Sequence, residues 1–260
     1  ISGTVTFKER KGGKTLVSIA LTGTPDGGTH PAHIHEKSLA EGGGIAIDLS
    51  SVNGSTGMSY TDVGSATFEE LANYDGHVKV HLSAEDLGTV VAAGDIGGNE
   101  LTGESVEYAL IDVAVAGICG TAVFAERKIG NALITISLAN TPDQGILPAH
   151  IHLNSVAEGG GIFVTLNPVD GTTGKSMSTP RKSDDNLFNE MPYEFLITDD
   201  SHIKVHLSAD ALGTVVAAGD VGGNKLTGNE TAYEVKEVNG SGVIGTFTLL
   251  ERMNGYTLAE

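Results

Sequence analysis

The chain has 260 residues, 40% of them hydrophobic, which is enough for one large or two medium domains with ordinary cores. A formal charge of −18 excludes a nucleic-acid surface built on basic patches, and no apolar run approaches the roughly 18 residues of a membrane helix. The single cysteine, Cys119, excludes an intrachain disulfide framework and leaves the redox compartment open.

The 36 glycines and the absence of tryptophan point to many short strands joined by tight turns. Gly3 to Glu9 alternates as a strand does, Lys11-Gly12-Gly13-Lys14 reads as a hairpin turn, and Thr15 to Leu21 returns as its partner. Thr24 to Gly28 is a further turn before His30-Pro-Ala-His33-Ile-His35-Glu36, and Ile45 to Leu49 follows Glu41-Gly-Gly-Gly44 as another strand. Asn53-Gly54 and Thr56-Gly57 reverse the chain, and Phe68 to Tyr74 reads as one helical turn. His77-Val-Lys-Val-His81 puts Val78 and Val80 inward and His77, Lys79 and His81 outward. Val90 to Ala93 reads as a core strand, Gly97-Gly98-Asn99 as a turn, and Leu101-Thr-Gly103 as the close of the unit.

These elements recur. Ile1-Ser-Gly-Thr-Val-Thr-Phe7-Lys-Glu-Arg10 returns at Ile118 to Arg127 and again at Val243 to Arg252. His33 and His150 are 117 positions apart, but His81 and His206 are 125 apart, so eight residues enter the second repeat between them. Lys175 to Phe195, with Pro180, Arg181, Lys182, Asp184, Asp185 and Pro192, has the loop composition expected of that insertion. The boundaries that follow are 1–103 for a first repeat, 104–228 for a second, and 229–260 for the opening strands of a third. The chain starts at Ile1 without an initiator Met or signal peptide, which is expected of a processed product or a fragment.

On a strand, side chains at i and i+2 share a face. His33 and His35 therefore stand side by side, as do His150 and His152, and a third histidine from another strand would complete a chelate. His81 and His206 are the candidates. His77 and His202 share the face of those third ligands, but about 13 Å of strand separates each pair, too far for one ion. They read as solvated side chains or a minor second site. His30 has no twin, because Leu147 replaces it, and could be a fourth ligand in repeat one alone. Asp95 and Asp220, in Ala-Gly-Asp-x-Gly-Gly-Asn, read as residues bonded to their own turn backbone. Glu9-Arg10 and its twins read as exposed ion pairs, and Cys119 as a small half-buried strand residue. No nucleophile with a partnering base, phosphate loop or nucleotide fingerprint is evident.

Pro-Ala-His-Ile-His, then Val-His-Leu-Ser, then Ala-Gly-Asp-(Ile/Val)-Gly-Gly-Asn together resemble the CHRD domain, the module named after chordin, over two copies and the start of a third. More distantly they resemble copper/zinc superoxide dismutase, a sandwich-type fold. That resemblance implies an all-β chain of tandem antiparallel sandwich or Greek-key barrel domains. It also implies two type II copper sites, one at His33, His35 and His81 and one at His150, His152 and His206, with zinc or another transition metal as alternatives. It gives Glu85 and Asp210 the place of an acidic residue that supports the ligands. The dismutase zinc loop, disulfide and substrate-guiding arginine have no counterpart here, which argues against fast dismutation.

The expectation is a secreted or cell-surface structural protein of metal-bearing repeats, without catalytic residues. The alternatives are a slow copper-dependent redox enzyme, such as a superoxide scavenger, and an extracellular protein-binding module. In the dismutase order the strand before Gly-Thr-Val-Thr-Phe comes first. Val106 to Asp112 supplies it for repeat two and Ala232 to Glu237 for a third unit, whereas repeat one shows no such segment. Two readings follow: head-to-tail self-association by strand donation, which makes a filament, or covalent neighbours in a longer repeat chain.

Overall fold

The computed structural model describes residues 1–180 and 191–260. Its elements, in chain order, are β1 (Ser2–Glu9), β2 (Thr15–Thr22), β3 (Thr29–Glu36), β4 (Ile45–Asn53), β5 (Met58–Val63), α1 (Phe68–Ala72), β6 (Asp75–His81), β7 (Val90–Gly97) and β8 (Leu101–Asp112). They continue as β9 (Gly120–Arg127), β10 (Ala132–Leu138), β11 (Ile146–Leu153), β12 (Ile162–Asp170), β13 (Lys175–Ser178), α2 (Tyr193–Leu196), β14 (Asp200–His206), β15 (Val215–Gly222), β16 (Leu226–Val235), β17 (Gly245–Arg252) and β18 (Thr257–Ala259). The chain is all-β and antiparallel, as expected.

The chain divides into two compact units. Unit 1 comprises Ile1–Thr102 with Arg127–Ile129, and unit 2 comprises Gly103–Glu126 with Gly130–Glu260. In unit 1 the strand order is β1-β2-β5-β4-β3-β6-β7, an open seven-stranded sheet. Strands β3, β4 and β5 run as a meander and β6 returns beside β3, which is the crossing of a Greek key. Unit 2 repeats that order as β10-β13-β12-β11-β14-β15 and adds β8, which closes β15 onto β9 and makes a barrel. A separate sheet, β16-β17-β18, belongs to the same unit.

Alternation along the strands sets the cores. Val17 and Ile19 of β2, Ala32 and Ile34 of β3, and Val78 and Val80 of β6 close on Leu71 in unit 1. In unit 2, Tyr108, Phe124, Ile134, Ile136, Ile151 and Ile203 form the larger equivalent. Strand β3 loses its ladder between His30 and Ala32, where Pro31 has no N–H to give, and β11 does the same around Pro148. The helical turn α1 starts at a capping box in which the Thr67 hydroxyl and the Glu70 carboxylate each bond the other's backbone N–H.

Several local expectations change. In β7, Ile96 is buried in the unit 1 core, but Val90 is 40% exposed and Val91 and Ala92 are only partly buried, whereas their counterparts Val216 and Ala217 of β15 are fully buried in unit 2. Leu101-Thr-Gly103 also opens β8, which runs unbroken to Asp112, so the boundary between the two compact units, after Thr102, falls inside a strand. Cys119 is exposed and precedes β9. Lys175–Ser178 is a strand rather than loop, and Arg181, Lys182, Asp184 and Asp185 of the expected insertion lie outside the described residues.

The repeated arginines depart furthest from expectation. Arg10 meets Asp62 at 2.5 Å with half its side chain exposed, as a surface pair would. Arg127 is fully buried, its guanidinium 2.9 Å from Asp95, and Arg252, 5% exposed, reaches Asp220 at 3.2 Å and Asn224 at 3.2 Å. The aspartates do not bond their own turns. The second oxygen of Asp95 accepts the N–H of Leu39 at 2.6 Å, and that of Asp220 accepts the N–H of Val156 at 2.7 Å. Each carboxylate thus holds the loop after a histidine strand, and a buried guanidinium compensates its charge.

Candidate metal centres

Strand register brings the six expected histidines together. In β3, His33 and His35 project beside His81 of β6, and in β11, His150 and His152 project beside His206 of β14. In each trio one nitrogen per ring lies within 4.8 Å of the other two, an arrangement that could hold a metal ion. Three imidazole nitrogens about 2 Å from one ion stand roughly 3–4 Å apart, so the rings of each trio would draw closer together on binding. Ring centroids of His33 and His81 are 5.2 Å apart, and those of His150 and His206 are 5.0 Å apart.

The hydrogen bonds decide which nitrogen each ring offers. Nδ1 of His35 faces the Gly43 carbonyl at 3.0 Å, and Nδ1 of His81 faces the Leu87 carbonyl at 2.6 Å. Nδ1 of His152 and of His206 make the same contacts with Gly160 at 3.0 Å and Leu212 at 2.6 Å. A carbonyl only accepts, so all four rings carry their proton on Nδ1 and turn the Nε2 lone pair to the interior. In His33 and His150 it is Nδ1 that is buried without a partner. Each centre therefore presents one Nδ1 and two Nε2 atoms, all buried and unpartnered among the described residues. An orphaned buried nitrogen costs about 1–3 kcal/mol, and three converge twice. A metal ion would satisfy them, so the residues fit the group.

Burial also favours the neutral form of His33, His150, His152 and His206. Desolvation pushes His33, His150 and His206 below the ordinary imidazole value, and neighbouring histidines push His33 and His150 further the same way. His152 falls to about 4, with burial the largest cause. Neutral imidazoles donate to Cu(II), Zn(II) or Ni(II) without first losing a proton. The two centres differ at one neighbour. Asp48, opposite His33 in register, stands 3.7 Å from its Nε2, whereas Thr165 is opposite His150.

The remaining candidates are placed as follows. His77 and His202 lie outside the trios but are not solvated; both are fully buried. Their rings stack on His35 and His152 at 5.1 and 5.2 Å, and their Nδ1 atoms face the carbonyls of Lys37 and Asn154 at 2.8 Å. Lys37 and Asn154 take φ of 62° and 64°, which is how the chain turns those carbonyls back. His30 is buried with Nδ1 2.8 Å from the Leu82 carbonyl and is not part of the trio. Glu85 and Asp210 are exposed, and the Nδ1 atoms of His81 and His206 are held by backbone carbonyls instead.

Sequence reasoning placed Lys79 on the histidine face but assigned no role to it or to Lys204; in register they pair with His33 and His150. The charge of Lys204 helps to depress His152, His202 and His206. The alternation His-x-Lys-x-His already placed each lysine on the histidine face. No family model matches the sequence, and neither the search of curated proteins nor that of solved structures finds a match.

Proposed function

We propose that this is an extracellular or cell-surface structural protein of tandem CHRD-like repeats, each complete unit carrying a three-histidine copper-type centre. One observation carries the metal reading. Three buried ring nitrogens converge without partners in each unit, and four of the six rings have their other nitrogen anchored to a backbone carbonyl. That carbonyl anchoring is the outer support that metal-ligating histidines regularly have. Copper heads the affinity order for imidazole sites, with zinc the alternative where supply favours it. The resemblance to superoxide dismutase supports the same ligand set, and the resemblance to CHRD domains supports the extracellular setting. Units following one another along a line, by head-to-tail self-association, complete the reading.

When bound, copper would supply one-electron redox chemistry. The chain's own residues hold the ring orientations, favour neutral His33, His150, His152 and His206, and place a lysine beside each centre. With a formal charge of −18 the protein as a whole repels anions, which supports a structural or scavenging role over fast turnover of superoxide. Protein purified without added metal and analysed for metal content tests the reading. Close to two equivalents of copper with a nitrogen-rich tetragonal paramagnetic signal are expected. A chain that takes up no transition metal on reconstitution contradicts it.

A further inference from the structure

Unit 1 matches unit 2 strand for strand, from β1 with β9 to β7 with β15, except at the position of β8. Between β7 and β1 lies a groove of about 730 Å³ lined by Val5, Phe7, Val80, Ala92, Gly94 and Ile96. In unit 2, β8 fills this position and buries Tyr108 and Leu110 to 2% and 1% exposure. Phe124 and Ala217 are fully buried there, while their counterparts Phe7 and Ala92 are only half-buried.

One glycine records what the groove is shaped for. A Cβ on Gly219 would stand 2.0 Å from the Ala109 carbonyl oxygen of β8, so the close passage of that strand requires glycine. On its counterpart Gly94 a Cβ would meet no described atom within 4 Å, and Gly94 has no positive φ. Neither space nor backbone conformation within unit 1 calls for glycine at this position. An arriving backbone does.

The chain also contains a strand of the right kind. β16 is the counterpart of β8, sharing its Leu-Thr-Gly opening, and carries Tyr233 and Val235 where β8 carries Tyr108 and Leu110. Every residue of β16 is exposed, Tyr233 by 53% and Val235 by 49%, and β16 has a neighbour, β17, on one edge only. We propose that the β1–β7 groove of one copy takes β16 of a second copy, with Tyr233 and Val235 seated as Tyr108 and Leu110 are in unit 2. The strand exchanges one ladder, with β17, for two, with β7 and β1, and two apolar side chains leave water. This proposal rests on the head-to-tail assembly reading and makes no use of the metal centres.

The test uses residues 1–260 in size-exclusion chromatography with light scattering. The unaltered chain should form concentration-dependent assemblies. Gly94→Val, and separately Tyr233→Asp with Val235→Asp, should leave monomers with unchanged metal content. A synthetic peptide of residues 228–237 in excess should dissolve the assemblies. The unit 2 pairing of Ala218 with Ile111 predicts that Ala93→Cys and Lys236→Cys, in a Cys119→Ser background, form a disulfide between copies. Assemblies that resist both Gly94→Val and the peptide would overturn the groove while leaving head-to-tail assembly standing. An unaltered chain that stays a monodisperse monomer at every concentration would overturn both.

Discussion

The Arg127 guanidinium, with no exposed surface, sits 2.9 Å from the carboxylate of Asp95, and the other oxygen of that carboxylate accepts the Leu39 N–H. Leu39 lies two residues beyond Lys37, whose carbonyl faces the His77 ring that stacks on His35. A continuous set of contacts thus runs from the repeated arginine to a histidine of the candidate metal centre, and Arg252, Asp220, Val156 and His202 repeat it.

Removing a buried arginine leaves a carboxylate without its countercharge. Arg127→Met and Arg252→Met should each destabilise the protein by about 3 kcal/mol, the lower end of the range for breaking a buried pair. Arg10→Met should cost under about 1 kcal/mol, because that pair is half exposed. Denaturant unfolding of the three variants checks the contrast, and equal costs would contradict the structural distinction.

The repeats, most of the strands and the histidine trios were legible in the sequence, because period-two alternation and fixed offsets survive without coordinates. His33 and His35 needed only strand geometry, whereas His81 was singled out by its resemblance to a dismutase ligand, since His77 repeats as well. The arginine burial was not legible: Glu-Arg at a strand end looks like a solvated pair, and its partner Asp95 lies 32 positions away from Arg127. The burial of His77 and His202 was missed for a related reason. Alternation gives the face but not what covers it, and a loop carbonyl turned by positive φ at Lys37 and Asn154 covers it here. The difference between an open sheet and a closed barrel depends on β8, whose Val106 to Asp112 the dismutase order already marked as the first strand of repeat two.

The carbonyl of Gly160 orients His152, and a Cβ on Gly160 would stand 2.1 Å from the Leu153 carbonyl oxygen. Gly160→Ala must therefore shift that loop. Metal affinity of the second centre should fall roughly 10- to 100-fold, as for other losses of outer support, with the first centre unchanged. Competition titration with a chelator reads both constants.

Tyr108 is buried in the barrel, and burial pushes its hydroxyl up to about 12 from the ordinary 10. The unfolded chain therefore loses this proton first. The contribution is intact below pH 10 and is lost as pH rises from 10 to about 12. Tyr108→Phe should flatten the alkaline limb of the stability curve, followed by tyrosinate absorbance and circular dichroism together. An unchanged limb would place the alkaline sensitivity elsewhere.

Copper-loaded protein should dismutate superoxide far below the diffusion-limited range of roughly 10⁸–10⁹ M⁻¹s⁻¹. Lowering the salt should not accelerate it, since the net field opposes the anion. A rate near that ceiling that falls as salt is added would favour the enzyme reading.

Copper titration of three proteins tests most directly whether two independent three-histidine centres bind metal. The unaltered chain should take up two equivalents, and His33→Ala with His81→Ala should retain one. His150→Ala with His206→Ala should retain the other, each single remaining centre giving a nitrogen-rich tetragonal signal. Two equivalents retained by either double variant would contradict the ligand assignment.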